Sequence, residues 1–287
     1  MRYDSLTQFL SSSAKLLSKG PIALIFVEDL IEVESTIRHH QQAGFRALLV
    51  FAPDELDLPD DLEGSIHRIT FNCSASGAVV DAVNTVIEAA PGTWIYYGFN
   101  AEYLFHPFCE TRTVGELLTF QTEERRDAVL SYVVDLYADD LEQFPNAVSL
   151  EHACLDKSGY YANGRKGTDG NPLERQLDFF GGLRWRFEEH VPQNGHKIDR
   201  VSLFKAKPGL KLRANHTFND EEYNTYSCPW HHNITVAVAS FRTAKALKTN
   251  AGSKHDIRSF NWHNTTKFQW NSQQLLDLGL MEPGQWF

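Results

Sequence analysis

The sequence predicts an α/β protein, a mixed sheet flanked by helices with an elaborated C-terminal part. Two apolar runs, Ile22–Val27 and Ala47–Phe51, bracket a segment of helical periodicity, as buried parallel strands bracket their crossover helix. The alternation continues to about residue 100 and includes further strand and helix segments, which is the order that builds a parallel sheet. Glycine and proline mark the junctions, at Gly20-Pro21, Gly44 and Pro91-Gly92, where helices and strands end.

Taken in order, Leu6, Phe9, Leu10, Leu16 and Leu17 give Leu6–Leu17 the apolar stripe of a short helix closed by Gly20. Ile22–Val27 reads as a buried strand, Glu32–Ala43 as a helix stopped by Gly44, and Ala47–Phe51 as the next strand. Sheets made of such βαβ units place ligand crevices at the carboxyl ends of their strands. A strand at Ile66–Phe71, a helix at Ala78–Ala89 and a strand at Trp94–Tyr97 follow. After residue 120 the alternation breaks down. Ala128–Tyr137 reads as a strand and 163–172 as a loop rich in Gly, Asn and charge. Lys197–Lys205 and Leu210–Ala214 read as paired strands about the turn Lys207-Pro208-Gly209, and Ile234–Lys248 as a helix. His39 and His40 fall in the second helix and are expected on its surface, with no chemistry assigned.

The 287 residues, 42% apolar with 6 Trp, 10 Tyr and 19 Phe, provide enough bulk for one large domain and argue against disorder. We divide it into segments at 20–120 and 121–250 and an aromatic tail at 251–287. The net charge of −10 excludes a protein built to coat nucleic acid, which needs a dense basic face. That charge is uneven: residues 1–150 hold 9 basic and 23 acidic side chains, residues 151–287 hold 18 and 14. Cys73, Cys109, Cys154 and Cys228 contain no C-x-x-C pair, so a reducing, cytoplasmic setting is expected rather than a disulfide framework or zinc knuckle. No apolar run approaches the roughly 20 residues that span a bilayer, and no secretory leader opens the chain.

Several segments together resemble the nucleotide-sugar glycosyltransferases of the GT-A fold, in particular the bacterial family 2-like branch. They are Phe26-Val27-Glu28 at the end of the first long strand, then Arg38-His39-His40 and Gly44-Phe45 leading into the next. Further on, Trp94 to Leu104 lies where that family has a strand ending in D-x-D-E-[FY]-L. The likeness spans roughly residues 20–250. It implies a Rossmann-like GT-A sheet, a nucleotide-sugar donor and a glycan or lipid-linked acceptor, with no part for nucleic acid and no transmembrane segment. One departure is plain: Phe99 and Ala101 stand where the family has its two metal-binding aspartates, with Asn100 between them and Glu102 after them. A hard cation such as Mn²⁺ or Mg²⁺ prefers oxygen ligands, and those side chains have none. The resemblance therefore implies metal-independent or weakened transfer, and no metal ligands are assigned. At the second strand's end Asp54 is the candidate for the nucleoside-side aspartate.

By the same resemblance Glu28, Asn100, Glu102, His216, His232, Arg242 and Lys245 bind substrate, and Glu188 or Glu189 is the base that deprotonates the acceptor hydroxyl. Each has a plainer alternative. Glu102 can fix the strand-end turn; Glu188 and Glu189 can be a solvated pair; His231 and His232 beside Trp230 can be polar packing. Adjacent histidines on an extended chain point to opposite faces, which argues against zinc. Arg242, Lys245 and Lys248 share one side of the expected helix, either as phosphate ligands or as a solvated face. The tail residues Phe260, Trp262, Phe268, Trp270, Trp286 and Phe287 are expected to pack on the core. Two readings thus stand, a transferase and a GT-A-like binding or scaffold protein that has lost the chemistry, with a metal-dependent hydrolase using the C-terminal histidines a third.

Overall fold

The structure, a computed structural model, describes residues 1–228 and 232–286. The expectations placed on Trp230, His231 and Phe287 lie outside the described residues. The strands are β1 (Arg2–Tyr3), β2 (Ile22–Phe26), β3 (Ala47–Ala52), β4 (His67–Thr70), β5 (Trp94–Phe99), β6 (Glu102–Phe105), β7 (Ala128–Asp135), β8 (Tyr137–Ala138), β9 (Ala153–Asp156), β10 (Tyr161–Lys166), β11 (Pro172–Phe180), β12 (Asp199–Lys205), β13 (Val236–Ser240) and β14 (Thr265–Lys267). The helices are α1 (Leu6–Ser13), α2 (Val33–Gln42), α3 (Asp60–Ser65), α4 (Ala78–Ala89), α5 (Val114–Glu123), α6 (Gly182–Arg186), α7 (Arg242–Thr249) and α8 (Ser272–Asp277). None is long and apolar enough to cross a membrane. The chain divides into two compact units: Met1–Leu104, Thr111–Leu130 and Val201–Asn224 form the first, and Phe105–Glu110, Ser131–Arg200 and Thr225–Phe287 the second.

The first unit is the α/β part. Its strands run in the order β1-β4-β3-β2-β5-β12. β1 to β5 are parallel to their neighbours, and β12 is antiparallel to β5 through Leu203↔Tyr96. Every side chain of β2 is fully buried, which explains why that strand is an unbroken apolar run. The helices cover the sheet with apolar stripes, Val33 and Ile37 on α2 and Val83, Val86 and Ile87 on α4. From β2 the chain passes through α2 to β3 on one side, and from β4 it returns through α4 to β5 on the other. The carboxyl ends of β2 and β5 therefore flank a topological switch point, where open α/β sheets bind ligands.

The second unit pairs β7 with β13 in parallel, from Ser131↔Val236 to Asp135↔Ser240. It also holds a three-stranded sheet in the order β14-β9-β8 and the hairpin β10–β11. Tyr137, Leu183, Leu247 and Phe260 belong to its apolar core.

Four elements differ from expectation. Ile234–Lys248 is not one helix: Val236–Ser240 is a strand and only Arg242–Thr249 is helical. The alternating Val and Ala of Val236–Ala239 are fully buried and hydrogen-bonded to β7, a partner about a hundred residues away that local periodicity cannot show. The loop expected at 163–172 lies inside the β10–β11 hairpin, whose turn uses Gly170 at φ +81°. Leu210–Ala214 forms no strand and contributes one bridge, Leu212↔Phe218. α1 stops at Ser13 and continues as a 3₁₀ turn over Ala14–Lys19.

Candidate functional site

In the first unit β2 and β5 end together, with Phe26 paired to Phe99. Just beyond, the fully buried Asn100 donates from Nδ2 to Asp29 Oδ1 at 2.8 Å and to the Ile31 carbonyl at 2.8 Å. Its Oδ1 accepts the Glu28 N–H at 2.9 Å. Both amide hydrogens and the carbonyl oxygen are engaged, so this side chain ties the Glu28–Ile31 loop to the end of β5. Ala101, at φ +58°, donates its N–H to Thr36 Oγ1 at 2.8 Å. Glu102, also fully buried, accepts the Phe99 N–H on Oε2 at 3.0 Å, the bond of a carboxylate that fixes the strand-end turn. Glu28 itself is exposed, and Asp54 accepts from Thr70 Oγ1 at 2.6 Å.

The motif's donor set does not fit a divalent cation. Phe99 and Ala101 are buried with no side-chain oxygen, and Asn100 Oδ1 is engaged by the Glu28 amide. Among the described residues, no group of three or more His, Cys, Asp or Glu side chains is placed to hold a metal ion.

Two cavities of about 370 Å³ occur in this unit. One lies beyond the carboxyl ends of β2 and β3, lined by Leu30, Leu56 and the carboxylates Glu32, Glu34, Glu55 and Asp57. The other lies at the amino ends of β2 and β5, among Ser18, Pro21, Thr93, Trp94 and Glu123. Topology favours the first as the ligand crevice, since open α/β sheets bind at carboxyl ends.

His216 is also in this unit. The segment that carries it is anchored to α4 by a reciprocal pair, Leu212 N–H to Asn84 Oδ1 at 2.7 Å and Asn84 Nδ2 to Leu212 O at 3.0 Å. Its Nδ1 lies 3.0 Å from the hydroxyl of Tyr97, a fully buried residue of β5, and the two rings stack at 6.0 Å. His40, expected on the helix surface, is instead fully buried, its ring stacked on Tyr96 at 5.0 Å. It shares the inward face of α2 with Val33 and Ile37. His39 is half-buried and bonds the Leu104 carbonyl at 2.7 Å.

In the second unit Glu188 and Glu189 sit in an exposed 3₁₀ turn after α6, Glu189 3.9 Å from His190. His232 is exposed and bridges Ser227. Arg242 begins α7 and donates its N–H to Ser240 Oγ at 3.3 Å; Lys245 is buried. Lys248 Nζ donates to the Lys254 and Ile257 carbonyls, both at 2.8 Å, and so closes the following loop.

Sequence reasoning missed a buried polar cluster in this unit. Asp156 Oδ1 accepts from the Tyr137 hydroxyl at 2.6 Å, Trp262 Nε1 at 2.7 Å and Arg186 Nη1 at 3.0 Å. The Arg186 guanidinium also lies 4.6 Å from the Trp262 ring, a cation–π contact. Asp135, fully buried, pairs with Arg184 at 3.5 Å; burial raises its pKa and the Arg184 charge opposes the rise. Tyr160 is packed beside it, and its pKa is raised by burial and then by the Asp156 and Asp135 carboxylates. Gly181 and Gly182 make room: a Cβ would stand 2.2 Å from the Tyr160 ring at the first and 2.9 Å from Asp135 Oδ2 at the second. The one sequence signal was Gly181-Gly182 before Arg184-Trp185-Arg186. Trp262 is half-buried, Phe260, Phe268 and Trp286 are buried, and Trp270 donates to the Leu150 carbonyl at 2.9 Å, so the described tail residues pack as expected.

No protein-family model matches the chain, and no curated protein matches it in sequence.

Proposed function

We propose that this chain is a GT-A-like glycosyltransferase that moves a sugar from a nucleotide-sugar donor to a glycan or lipid-linked acceptor in the cytoplasm, with no cation at the degenerate motif. The observation that carries the reading is a coincidence of place. The topological switch point between β2 and β5 falls at the junction of Glu28, Asn100 and Glu102, where the resemblance puts the donor. Carboxylates line the adjoining cavity, so a nucleotide there would present ribose and base hydrogen-bond donors to it and keep its phosphates away.

In this proposal a general base takes the proton from the acceptor hydroxyl, and the oxygen attacks the anomeric carbon. The bond from that carbon to the diphosphate breaks, and His216, in the same unit as the donor crevice, steadies the departing charge.

One observation favours the second reading, a binding or scaffold protein: the Asn100 amide is engaged within the protein itself. Calorimetric titration with nucleoside diphosphates, with and without Mn²⁺, separates the two. Binding indifferent to Mn²⁺ supports the transferase; no binding under either condition refutes it.

A further inference from the structure

The cavity at the amino ends of β2 and β5 lies wholly within the first unit and has a volume of about 370 Å³. That volume falls within the range of about 300–1,000 Å³ found for small-molecule pockets. It is not the crevice of the switch point, since the five residues of β2 hold the two ends of the sheet roughly 17 Å apart. One wall is a single face of α5, on which Gly115, Thr119, Thr122 and Glu123 follow one another at helical spacing.

That face carries residues that a helix does not favour. Gly115 is a poor helix former, and a Cβ there would meet only Thr113 Oγ1 at 3.7 Å, an ordinary contact. Packing therefore does not require the glycine, and its missing side chain leaves room in the cavity. Thr119 and Thr122 are β-branched, and each turns its hydroxyl back onto the helix, to the Gly115 carbonyl at 2.9 Å and the Leu118 carbonyl at 2.8 Å. Glu123 ends the helix with a carboxylate where the dipole favours a cation, and no basic residue occupies the last turn.

The remaining lining includes Ser18 and Thr93, whose hydroxyls donate to the Lys15 carbonyl at 2.9 Å and the Leu17 carbonyl at 3.0 Å. All four hydroxyl protons are thus held by carbonyls, and a hydroxyl in that state can only accept. With the Glu123 carboxylate, the lining offers acceptors and one negative charge, and none of its residues is cationic. A primary ammonium has three N–H donors and the complementary charge. We propose that this cavity binds a small primary amine, whose ammonium is held by Glu123 and the threonine hydroxyls of α5 and whose carbon chain lies against Pro21 and Leu118. The site is separate from the donor crevice and does not depend on the transferase reading.

The test is titration of the full ¹⁵N-labelled chain near neutral pH with butylamine and, at equal ionic strength, with tetramethylammonium, which has the same charge and no N–H. The amide signals of Gly92, Gly115 and Thr119 are expected to shift saturably with millimolar butylamine and not with tetramethylammonium. Glu123→Gln removes the charge at an exposed position and is expected to weaken butylamine binding about tenfold. Gly115→Leu keeps a good helix former in α5 and fills the cavity, and is expected to abolish binding. No saturable shift in the wild type, an equal response to tetramethylammonium, or shifts confined to the acidic crevice around Leu56 and Asp57 would each overturn the proposal. So would an unchanged affinity in either variant. Should Gly115→Leu fail to fold, Glu123→Gln and the two wild-type titrations still decide.

Discussion

His40 makes the fold sensitive to acid in a calculable way. Its Nδ1–H donates to the Thr36 carbonyl at 2.8 Å, while Nε2 is buried with no hydrogen-bond partner among the described residues. Burial, and after it the charge of His39, push its pKa down to about 3, against the opposing pull of the Thr36 carbonyl and Glu102. An unfolded histidine titrates near 6.5. Between those values the unfolded chain binds a proton that the folded chain refuses, so stability present in full above pH 6.5 is lost as pH falls toward 3. From pH 7.5 to pH 5.0 the loss from this residue alone is about 2 kcal/mol. His40→Phe keeps the stacking on Tyr96 and removes the titration. The lowered pKa values of His39 and His67, and the raised ones of Asp135 and Asp199, are common to both proteins and cancel in the comparison. Urea unfolding of both at the two pH values is therefore expected to show the variant losing about 2 kcal/mol less. Equal losses would refute the assignment.

Two further outcomes concern the buried cluster of the second unit. Gly182 has φ +62°, and a Cβ there would lie 2.9 Å from Asp135 Oδ2; Gly182→Ala is expected to cost about 2 kcal/mol, measured by urea unfolding, and a neutral result would show that the loop adapts. Arg186→Met leaves the buried Asp156 without its cation and is expected to cost about 3–5 kcal/mol. Adding Asp156→Asn is expected to restore part of that stability, and strictly additive effects would mean that the pair is not coupled.

What the sequence revealed follows from how far apart the interacting residues lie. β2, β3 and α4 are defined by runs and periodicities within a dozen residues, so their limits are visible locally. His40 was expected on the surface of α2, although its spacing continues that of Val33 and Ile37 and so carried the signal for its inward face. The strand at Val236–Ser240 was hidden because its pairing partner begins at Ser131. The Asp156 cluster was hidden for the same reason: Arg186 is 30 residues away and Trp262 is 106. The candidate residues divide in the same way. Asn100 and Glu102 lie in a locally defined turn whose place is evident from the end of β5, whereas what His216 meets, across 119 residues to Tyr97, appears only in the fold.

The charge imbalance of the first half acquires a definite location at Asn100. Residues 1–150 hold 23 acidic side chains against 9 basic ones, and Asp29 stands at the switch point beside the acidic cavity. Its Oδ1 receives the neutral Asn100 amide at 2.8 Å, a donor where a cation would otherwise offset the carboxylate. Asn100→Asp changes that donor into an acceptor of the same shape and sets two carboxylates within contact distance. Like charges so placed raise one pKa or recruit a cation. The variant is expected to melt several degrees below the wild type at neutral pH, and millimolar Mn²⁺ or Mg²⁺ is expected to recover part of the loss. The wild type should respond to neither ion. Thermal unfolding of both proteins with and without each ion is the measurement. A variant that stays destabilised and indifferent to cations would mean that the amide only braces the loop, and that no cation's place has been taken.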